Sequence, residues 1–274
     1  MLSGYKLVIF DLDGTLYEGT DHFDYYAEHL KKKVSHNKQS NFQQDYEEMK
    51  TGNHSVMIGK AYDIKEDLIL TIDPMTLSVT EASEWNGETL SIEEVKKKYQ
   101  EQLSFDFETM IAIGDGWWLP FVCAKHYGVE DCYSSYVATK EYMVSESFQL
   151  KPLPGLKEAL VDLKTQSTIV LVTNSDADDV NRLLNELQLR GLFDKVITSA
   201  KKPTYTSKLF TELLEEYQAS ADETLSIGDN FINDVAPAVL LGMDGVYIHT
   251  ENNQAKLHKN VQIVSSVMDC FSKS

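Results

Sequence analysis

The sequence predicts an α/β fold in which a doubly wound parallel sheet is interrupted by an inserted, mainly helical domain. From about residue 154 onward, short apolar runs alternate with segments of helical spacing, a pattern typical of parallel sheets with right-handed crossovers. Residues 5–10 form a further apolar strand with no crossover of its own nearby, so this strand must join the sheet from across about 130 residues. A gap of that length is enough for a second domain. We therefore expect a core of residues 1–17 and 150–274, and an inserted domain of residues 18–149.

The core elements follow from the apolar pattern. The predicted helices are 156–163, 176–187, 205–217 and 233–241, and the predicted strands are 5–10, 168–173, 196–198, 224–227 and 245–249. Ser175 and Asp178 have the spacing of a capping box, which predicts that Ser175 caps the second of these helices.

The insertion begins with helical spacing that puts Phe23, Tyr26 and Leu30 on one face. Residues 67–72 and 77–85 alternate like strands and precede Asn86-Gly87, which predicts a small hairpin. Further helices are expected at 91–103, beginning with a Ser91/Glu94 capping box, at 119–127 and at 133–144.

Charge and cysteine content narrow the functional class. A net charge of -18 argues against nucleic acid or an anionic membrane as a partner. No stretch approaches the length of a membrane span, and the acidic amino-terminal run does not resemble a secretory signal. Three cysteines without a CxxC pair fit a reducing compartment, so we expect a cytoplasmic protein. No feature points to a particular oligomeric state.

The chemistry is concentrated where the first strand ends, at Asp11-Leu12-Asp13-Gly14-Thr15. Ligands of parallel sheets collect beyond the carboxyl ends of strands. Strand alternation puts Asp11 and Asp13 on the same side, and Gly14 allows a sharp turn beside them. Two neighbouring carboxylates repel each other unless a cation lies between them.

This stretch resembles the first motif of the haloacid dehalogenase superfamily of phosphohydrolases. The other three motifs follow in the right order: an apolar strand ending in Thr173-Asn174-Ser175, then Lys202-Pro203, then Gly228-Asp229 with Asp234 nearby. Lys201 could compete with Lys202, but Lys202 precedes the proline as in the family.

The resemblance implies a role for each matched residue. Asp11 would be the nucleophile, and Asp13 would act as general acid and then general base. Thr173, Asn174 and Lys202 would hold the transferring phosphoryl group. Mg²⁺ would be bound by Asp11, Asp229, the Asp13 main-chain carbonyl and Asp234. For Asp234, water-mediated metal contact or support of Lys202 is weighed evenly against a plain helix-dipole role.

Several other features have simpler interpretations. Residues 111–116 imitate the fourth motif, but they precede the second motif and belong to the insertion. Trp117, Trp118 and Phe121 are expected to pack inside the inserted domain rather than over a ligand. His22 and Tyr17 follow the first motif closely enough to reach substrate, but a hinge or surface role is the expectation for both.

These residues and the resemblance together indicate a Mg²⁺-dependent phosphatase that hydrolyses a small phosphorylated metabolite through an aspartyl-phosphate intermediate, with the insertion as a cap. A phosphosugar mutase on the same core and a non-catalytic binding protein are the alternatives. The insertion contains no arginine, and the only two arginines are Arg182 and Arg190. Because arginine is favoured for capturing a second phosphate, a monophosphate with a neutral or aromatic remainder is expected.

Overall fold

The structure of the chain is a computed structural model that describes residues 2, 4–19, 21–145, 148, 150, 152–249 and 258–271. The chain divides into two compact units: Met1–Gly19 with Leu150–Ser274, which we call the core, and Thr20–Gln149, which we call the inserted unit.

Strands and helices alternate along the core, whereas three strands follow one another between two helices of the inserted unit. In chain order the strands are β1 Leu7–Phe10, β2 Ala61–Asp63, β3 Leu68–Ile72, β4 Val79–Ser83, β5 Met110–Ala112, β6 Thr168–Val172, β7 Lys195–Ile197, β8 Thr224–Gly228, β9 Asp244–Ile248 and β10 Val261–Val264. The α-helices are α1 Asp21–Lys31, α2 Gln39–Lys50, α3 Ile92–Lys98, α4 Trp118–His126, α5 Tyr133–Met143, α6 Leu156–Lys164, α7 Ala177–Glu186, α8 Thr206–Glu216 and α9 Ala236–Leu240.

The core contains a six-stranded sheet with the order β10-β9-β8-β1-β6-β7. Each neighbouring pair is parallel. The first strand lies in the middle of the sheet, where Val8 is opposite Ile169 on one side and Leu225 on the other. The predicted α/β fold with a doubly wound parallel sheet is therefore confirmed, including the entry of β1 from across the insertion.

The apolar run of β1 is explained by burial on both faces of the sheet. Val8 and Phe10 belong to one hydrophobic cluster, and Leu7 and Ile9 belong to another. A strand covered on both sides reads as a continuous apolar run rather than as an alternation. Helices α6 and α7 contribute residues to the first cluster, and α8 and α9 contribute to the second, so each face of the sheet has its own pair of helices.

The inserted unit combines its helices with a four-stranded antiparallel sheet of order β4-β3-β2-β5. The predicted hairpin is present as β3 and β4. The description of the insertion as mainly helical missed β2 and β5, which have only three residues each and are too short to show an alternation. The imitation of the fourth motif at residues 111–116 begins in β5 and lies in the inserted unit, as expected.

Three further elements differ from the sequence-based expectation. Strand β10 and helix α2 are additional, and the predicted helix 233–241 begins as a π-helical turn at Phe231–Val235 before α9. Helix α3 begins with the predicted Ser91/Glu94 capping box. None of the helices in the described ranges combines the length and apolar composition that a membrane crossing requires.

Candidate active site

Three neighbouring strands of the core sheet end at the same edge, and each is followed by a residue of a matched motif. Asp11 follows β1, Thr173 follows β6, and Asp229 follows β8. Because β1 pairs with both other strands, the three residues are brought together by the sheet itself. The Asp11 amide donates a hydrogen bond to the Ile227 carbonyl at 2.9 Å, which fixes the backbone at the point where the strand ends.

Lys202 is the buried cation of this edge. Its side chain is 2% exposed, and Nζ donates to Asp11 Oδ1 at 2.7 Å and to Asp234 Oδ1 at 2.5 Å. A third hydrogen bond goes to the Val172 carbonyl at 3.0 Å, so all three ammonium protons have acceptors. Burial lowers the pKa of Lys202, but the two carboxylates outweigh it, and the pKa lies above the usual value. Lys201, the competing lysine, is exposed.

The Asn174 side chain fixes the loop that carries Lys202. Its Oδ1 accepts the Lys202 amide hydrogen bond at 2.7 Å, and its Nδ2 donates to the Lys202 carbonyl at 3.1 Å. Both ends of the amide are therefore used on the backbone of the lysine. A side-chain contact from Asn174 to substrate would use the second hydrogen of Nδ2.

Asp11 lies in an environment that disfavours its charge. The pKa of Asp11 is raised to about 7: burial raises it most, Asp234 and Asp13 also raise it, and Lys202 lowers it. The charged groups that act on the Asp11 carboxylate are thus one cation, Lys202, and two acids, Asp234 and Asp13. The edge is therefore rich in negative charge, and one lysine does not balance it.

A divalent cation fits this arrangement. Asp11, Asp229 and Asp234 each offer a carboxylate oxygen, and these three oxygens lie within 4.8 Å of one another. Mg²⁺ binds oxygen at about 2.1 Å, so opposite ligands of one ion are about 4.2 Å apart. A small adjustment of the side chains would bring all three oxygens to one ion. The side chain of Asp13 is not part of this triad.

Two glycines allow the carboxylates to come so close to the backbone. A Cβ atom at Gly14 would lie 2.1 Å from Asp229 Oδ2, and one at Gly228 would lie 2.4 Å from Asp234 Oδ2. Gly14 also has a φ of +70°, which other residues rarely adopt. Both positions therefore require glycine for the triad to form.

Asp234 supports the lysine, one of the two functional possibilities considered for it. It is 3% exposed and lies in the π-helical turn that follows Asn230. Asp234 also lies in the first turn of its helix, so the helix-dipole alternative is compatible with its contact to Lys202.

Asp13 is held by hydroxyl groups. Tyr17 donates to Asp13 Oδ1 at 2.5 Å, and Ser175 donates to Oδ2 at 2.8 Å. Thr173 Oγ1 lies at the longer distance of 3.5 Å from the same Oδ2 and accepts the Ser175 amide hydrogen bond at 3.1 Å. Thr173 is therefore next to Asp13 as well as at the end of β6.

The predicted capping role of Ser175 is wrong. Asp176 caps α7, because its carboxylate accepts the Asp179 amide hydrogen bond at 2.9 Å. The difference of one residue leaves the Ser175 hydroxyl available to Asp13. Serine and aspartate are both good N-caps, so residue type alone does not distinguish the two adjacent positions.

The expectation of a surface role is wrong for Tyr17 and His22, each of which is 1% exposed. Tyr17 packs in the core cluster, and burial, followed by the nearby Asp13, raises its pKa well above the usual value. His22 lies in the inserted unit, where its ring contacts Phe23 and Trp117. Both aromatic side chains are therefore packed rather than exposed.

The aromatic residues of the insertion pack as expected. Trp117 contacts Phe23 and Tyr26, and Trp118 contacts Phe107 and Phe121. Arg182, one of the two arginines, pairs with Asp179 and Glu186 on its own helix.

Comparison with known proteins adds to this geometry. A family model described as haloacid dehalogenase-like hydrolase matches residues 123–248, which include the second, third and fourth motifs. The first motif lies outside that match but meets the others at the sheet edge described above. Residues 123–248 of the chain are thus similar to the haloacid dehalogenase-like hydrolases. A glyceraldehyde 3-phosphate phosphatase of Methanothermobacter thermautotrophicus is 25% identical over 112 residues, which cover 39% of this chain and 49% of that protein. The match thus spans about half the length of this curated relative.

Solved structures of haloacid dehalogenase-like hydrolases resemble the chain over nearly its whole length. The hydrolase YfnB of Bacillus subtilis, solved with magnesium, gives a TM-score of 0.53 at 16% identity and 97% coverage of each chain. A family member from Streptococcus pneumoniae gives a TM-score of 0.51 at 11% identity, covering 98% of this chain and 97% of the other. At these identities the likeness concerns the fold.

Proposed function

We propose that this hydrolase is a Mg²⁺-dependent phosphatase that cleaves a small phosphomonoester through an aspartyl-phosphate intermediate on Asp11. The observation that carries the proposal is the different setting of two neighbouring acids. Asp11 is buried against Lys202, whereas Asp13 is half-buried and held by hydroxyl groups. Two acids with different surroundings are suited to different tasks in one reaction.

Asp11 is the proposed nucleophile. One of its carboxylate oxygens attacks phosphorus, the bond from phosphorus to the ester oxygen breaks, and the departing oxygen takes a proton from Asp13. In the second step Asp13 accepts a proton from water, whose oxygen attacks the same phosphorus. The bond from phosphorus to Asp11 then breaks, which releases inorganic phosphate and restores both carboxyl groups.

Lys202 contributes positive charge where the phosphoryl oxygens would lie. Phosphoryl transfer depends mostly on positioning and on neutralising the peripheral oxygens. The ammonium group is fixed by Asp11, Asp234 and the Val172 carbonyl, so it would not need to reorganise as charge moves. Thr173, at the end of β6, supplies a hydroxyl at the same edge.

Asp11, Asp229 and Asp234 are the residues that would hold Mg²⁺, together with the Asp13 carbonyl that the family resemblance implies. When bound, the ion would neutralise charge on the phosphate and on the carboxylates themselves. The support for this choice of metal is the all-oxygen donor set and the magnesium in the Bacillus subtilis neighbour.

A small phosphorylated metabolite is the proposed substrate class. The curated relative acts on glyceraldehyde 3-phosphate, a monophosphate with a neutral remainder. The absence of arginine from residues 18–149 and the net charge of -18 also disfavour multiply charged substrates and nucleic acid. The three cysteines are buried free thiols, which supports a cytoplasmic location.

The test is release of inorganic phosphate from a panel of phosphomonoesters, with Mg²⁺ or with chelator. Asp11→Asn should abolish metal-dependent release. Asp194→Asn is the matched control, because Asp194 also pairs with a lysine of the core, Lys164, at 2.9 Å but lies at the amino-terminal end of β6, opposite the end that carries Thr173. Mass spectrometry of acid-quenched enzyme should find phosphate on the peptide that contains Asp11.

Two results would remove the proposal. One is full activity in Asp11→Asn; the other is no release by the native protein from any ester of the panel. If phosphate moved from the substrate to a sugar hydroxyl instead of to water, the mutase alternative would replace hydrolysis.

A further inference from the structure

Asp13 is anchored at both of its oxygens. The Tyr17 hydroxyl reaches Oδ1 at 2.5 Å, and the Ser175 hydroxyl reaches Oδ2 at 2.8 Å. Asp13 itself is only half-buried, so without these contacts water would solvate the carboxyl group and its side chain would have several staggered rotamers to choose from. The two hydroxyl groups reduce that freedom to one arrangement.

Tyr17 is well suited to fixing another group, because its own position is strongly constrained. Its ring is 1% exposed and belongs to the core cluster that also contains Leu12 and Leu16. Its backbone forms an antiparallel bridge with Pro152, the residue at which the chain has returned from the insertion. The hydroxyl group is thus presented by a rigid, buried ring rather than by a flexible side chain.

Ser175 reaches Asp13 from a different part of the chain. It lies in the turn between β6 and α7, where its amide donates to Thr173 Oγ1 at 3.1 Å and its carbonyl accepts the Ser199 amide hydrogen bond at 2.9 Å. Two independent segments therefore converge on one carboxyl group. Such convergence is what a proton-transfer group needs, since misplacement by about 1 Å can cost two orders of magnitude in rate.

We propose that Tyr17 is a positioning residue for the Asp13 carboxyl group, with Ser175 as its second anchor. This inference rests on the proposed phosphatase function and names residues outside the roles assigned to the four motifs. Tyr17 acts through Asp13 and does not itself touch the reacting atoms. Its hydroxyl directs the carboxyl group towards the ester oxygen that must be protonated when the bond to phosphorus breaks.

The nature of the leaving group distinguishes positioning from a general structural role. An alkyl phosphate releases a strongly basic alkoxide and needs the proton of Asp13. p-Nitrophenyl phosphate releases a weakly basic phenolate that departs without a proton. The ratio kcat/KM reports the steps up to cleavage of the ester bond, so it is sensitive to this difference even where the second step limits kcat.

The experiment compares kcat/KM of native enzyme, Tyr17→Phe and Ser175→Ala on p-nitrophenyl phosphate and on the best alkyl phosphate found in the ester panel. Tyr17→Phe should lose about tenfold or more on the alkyl ester, a fraction of the 10²–10⁴ that general acid catalysis typically contributes. It should lose less than about threefold on p-nitrophenyl phosphate. Tyr5→Phe is the matched control, because the Tyr5 hydroxyl also donates to a carboxylate of the core, Asp244 Oδ2, at 2.7 Å.

Equal losses on both esters, with a lowered melting temperature, would assign Tyr17 a purely structural role and overturn the inference while leaving phosphatase activity intact. Unchanged kcat/KM on both esters would overturn it as well. If native enzyme released no phosphate from any ester of the panel, the proposed function would fail before this comparison could be made, and the inference would fail with it. Ser175→Ala should show the same dependence on leaving group, and the double variant should show less than the product of the two losses because both act on one carboxyl group.

Discussion

Replacing Gly14 by alanine should remove metal binding with little loss of fold. Gly14 has a φ of +70°, and an added Cβ would lie 2.1 Å from Oδ2 and 2.6 Å from Cγ of Asp229. Ordinary van der Waals contact begins at 3.4 Å, so the carboxylate would have to retreat by more than 1 Å. Asp229 is a short side chain at the end of a buried strand, and it cannot move that far while keeping its oxygen in the triad with Asp11 and Asp234.

Two separate free-energy terms are expected. The left-handed backbone costs alanine about 1 kcal/mol relative to glycine, which lowers the free energy of unfolding. The metal term is larger. Disturbing even the outer partners of a metal ligand typically weakens affinity 10–100-fold, so moving a ligand should reach about the upper end of that range. At a free Mg²⁺ concentration of 100 times the native Kd, the ion stabilises the fold by about 2.7 kcal/mol; a hundredfold weaker Kd leaves roughly 0.4 kcal/mol.

Gly191→Ala separates the two terms. Gly191 lies in the core with a φ of +76°, and an added Cβ would meet no atom within 4 Å. Both variants should lose similar stability in chelator, measured by urea unfolding. On addition of Mg²⁺, native protein and Gly191→Ala should be stabilised alike, whereas Gly14→Ala should hardly respond. Equal stabilisation of all three proteins would refute the assignment of Asp229 to the metal site.

Two further predictions concern charged groups. Lys202→Met should lower the free energy of unfolding in chelator by about 3 kcal/mol or more, because it leaves Asp11 and Asp234 buried without their cation. The control is Lys195→Met, which removes a more exposed ion pair with Glu216. It should lower the free energy of unfolding by less than about 1 kcal/mol in the same urea titration. Burial lowers the pKa of His54 below 6.5, so the unfolded chain binds this proton more readily than the folded one. The contribution of His54 to stability should therefore be unchanged above about pH 6.5, decrease as the pH drops from there towards the folded value, and level off below it. His54→Gln should remove this part of the pH dependence in unfolding curves recorded from pH 7.5 to about 5. A variant with the same slope as native protein would contradict the role of His54.

The sequence could predict the core because its signals are local and strong. The apolar run that ends at Phe10 is buried on both faces and is followed directly by acids. Residues 8–16 alone therefore predict a strand, the sheet edge at which it ends and the reactive loop that follows. Crossover helices such as α7 and α8 have clear apolar faces. The order of the motifs then fixes which strands must be neighbours, because parallel strands place their carboxyl ends together.

The elements that were not predicted depend on contacts between residues that are distant in the chain or on patterns too short to recognise. Strands β2 and β5 are three residues each, and they pair across about 50 residues, so neither carries a pattern of its own. Helix α2 has a polar composition that hides its buried Phe42, Tyr46 and Met49, although their spacing is helical. Strand β10 is a short edge strand of alternating exposure and belongs to the sheet only because β9 offers it a partner.

The same limit applies within the site. The residue types of the four motifs predicted which groups carry charge, but the partners of Asp13 were set by which hydroxyl groups the fold brings near. Tyr17 is four residues from Asp13 and its ring is aimed by the bridge to Pro152, a contact across the whole insertion. Ser175 was assigned to the wrong task because the choice of N-cap between two adjacent residues depends on the helix axis, which sequence spacing does not specify.

Charge at the sheet edge links folding to function. Asp11 and Asp234 are buried with one lysine between them, and Asp229 adds a third carboxylate whose oxygen lies within 4.8 Å of theirs. Burial and acidic neighbours raise the pKa of Asp11 to about 7, so the arrangement costs stability as long as no further cation is present. A phosphate ester would bring more negative charge to the same place and would increase this electrostatic repulsion. A bound divalent ion would offset both, so its effect on unfolding should report the quality of the metal site even before the physiological substrate is known.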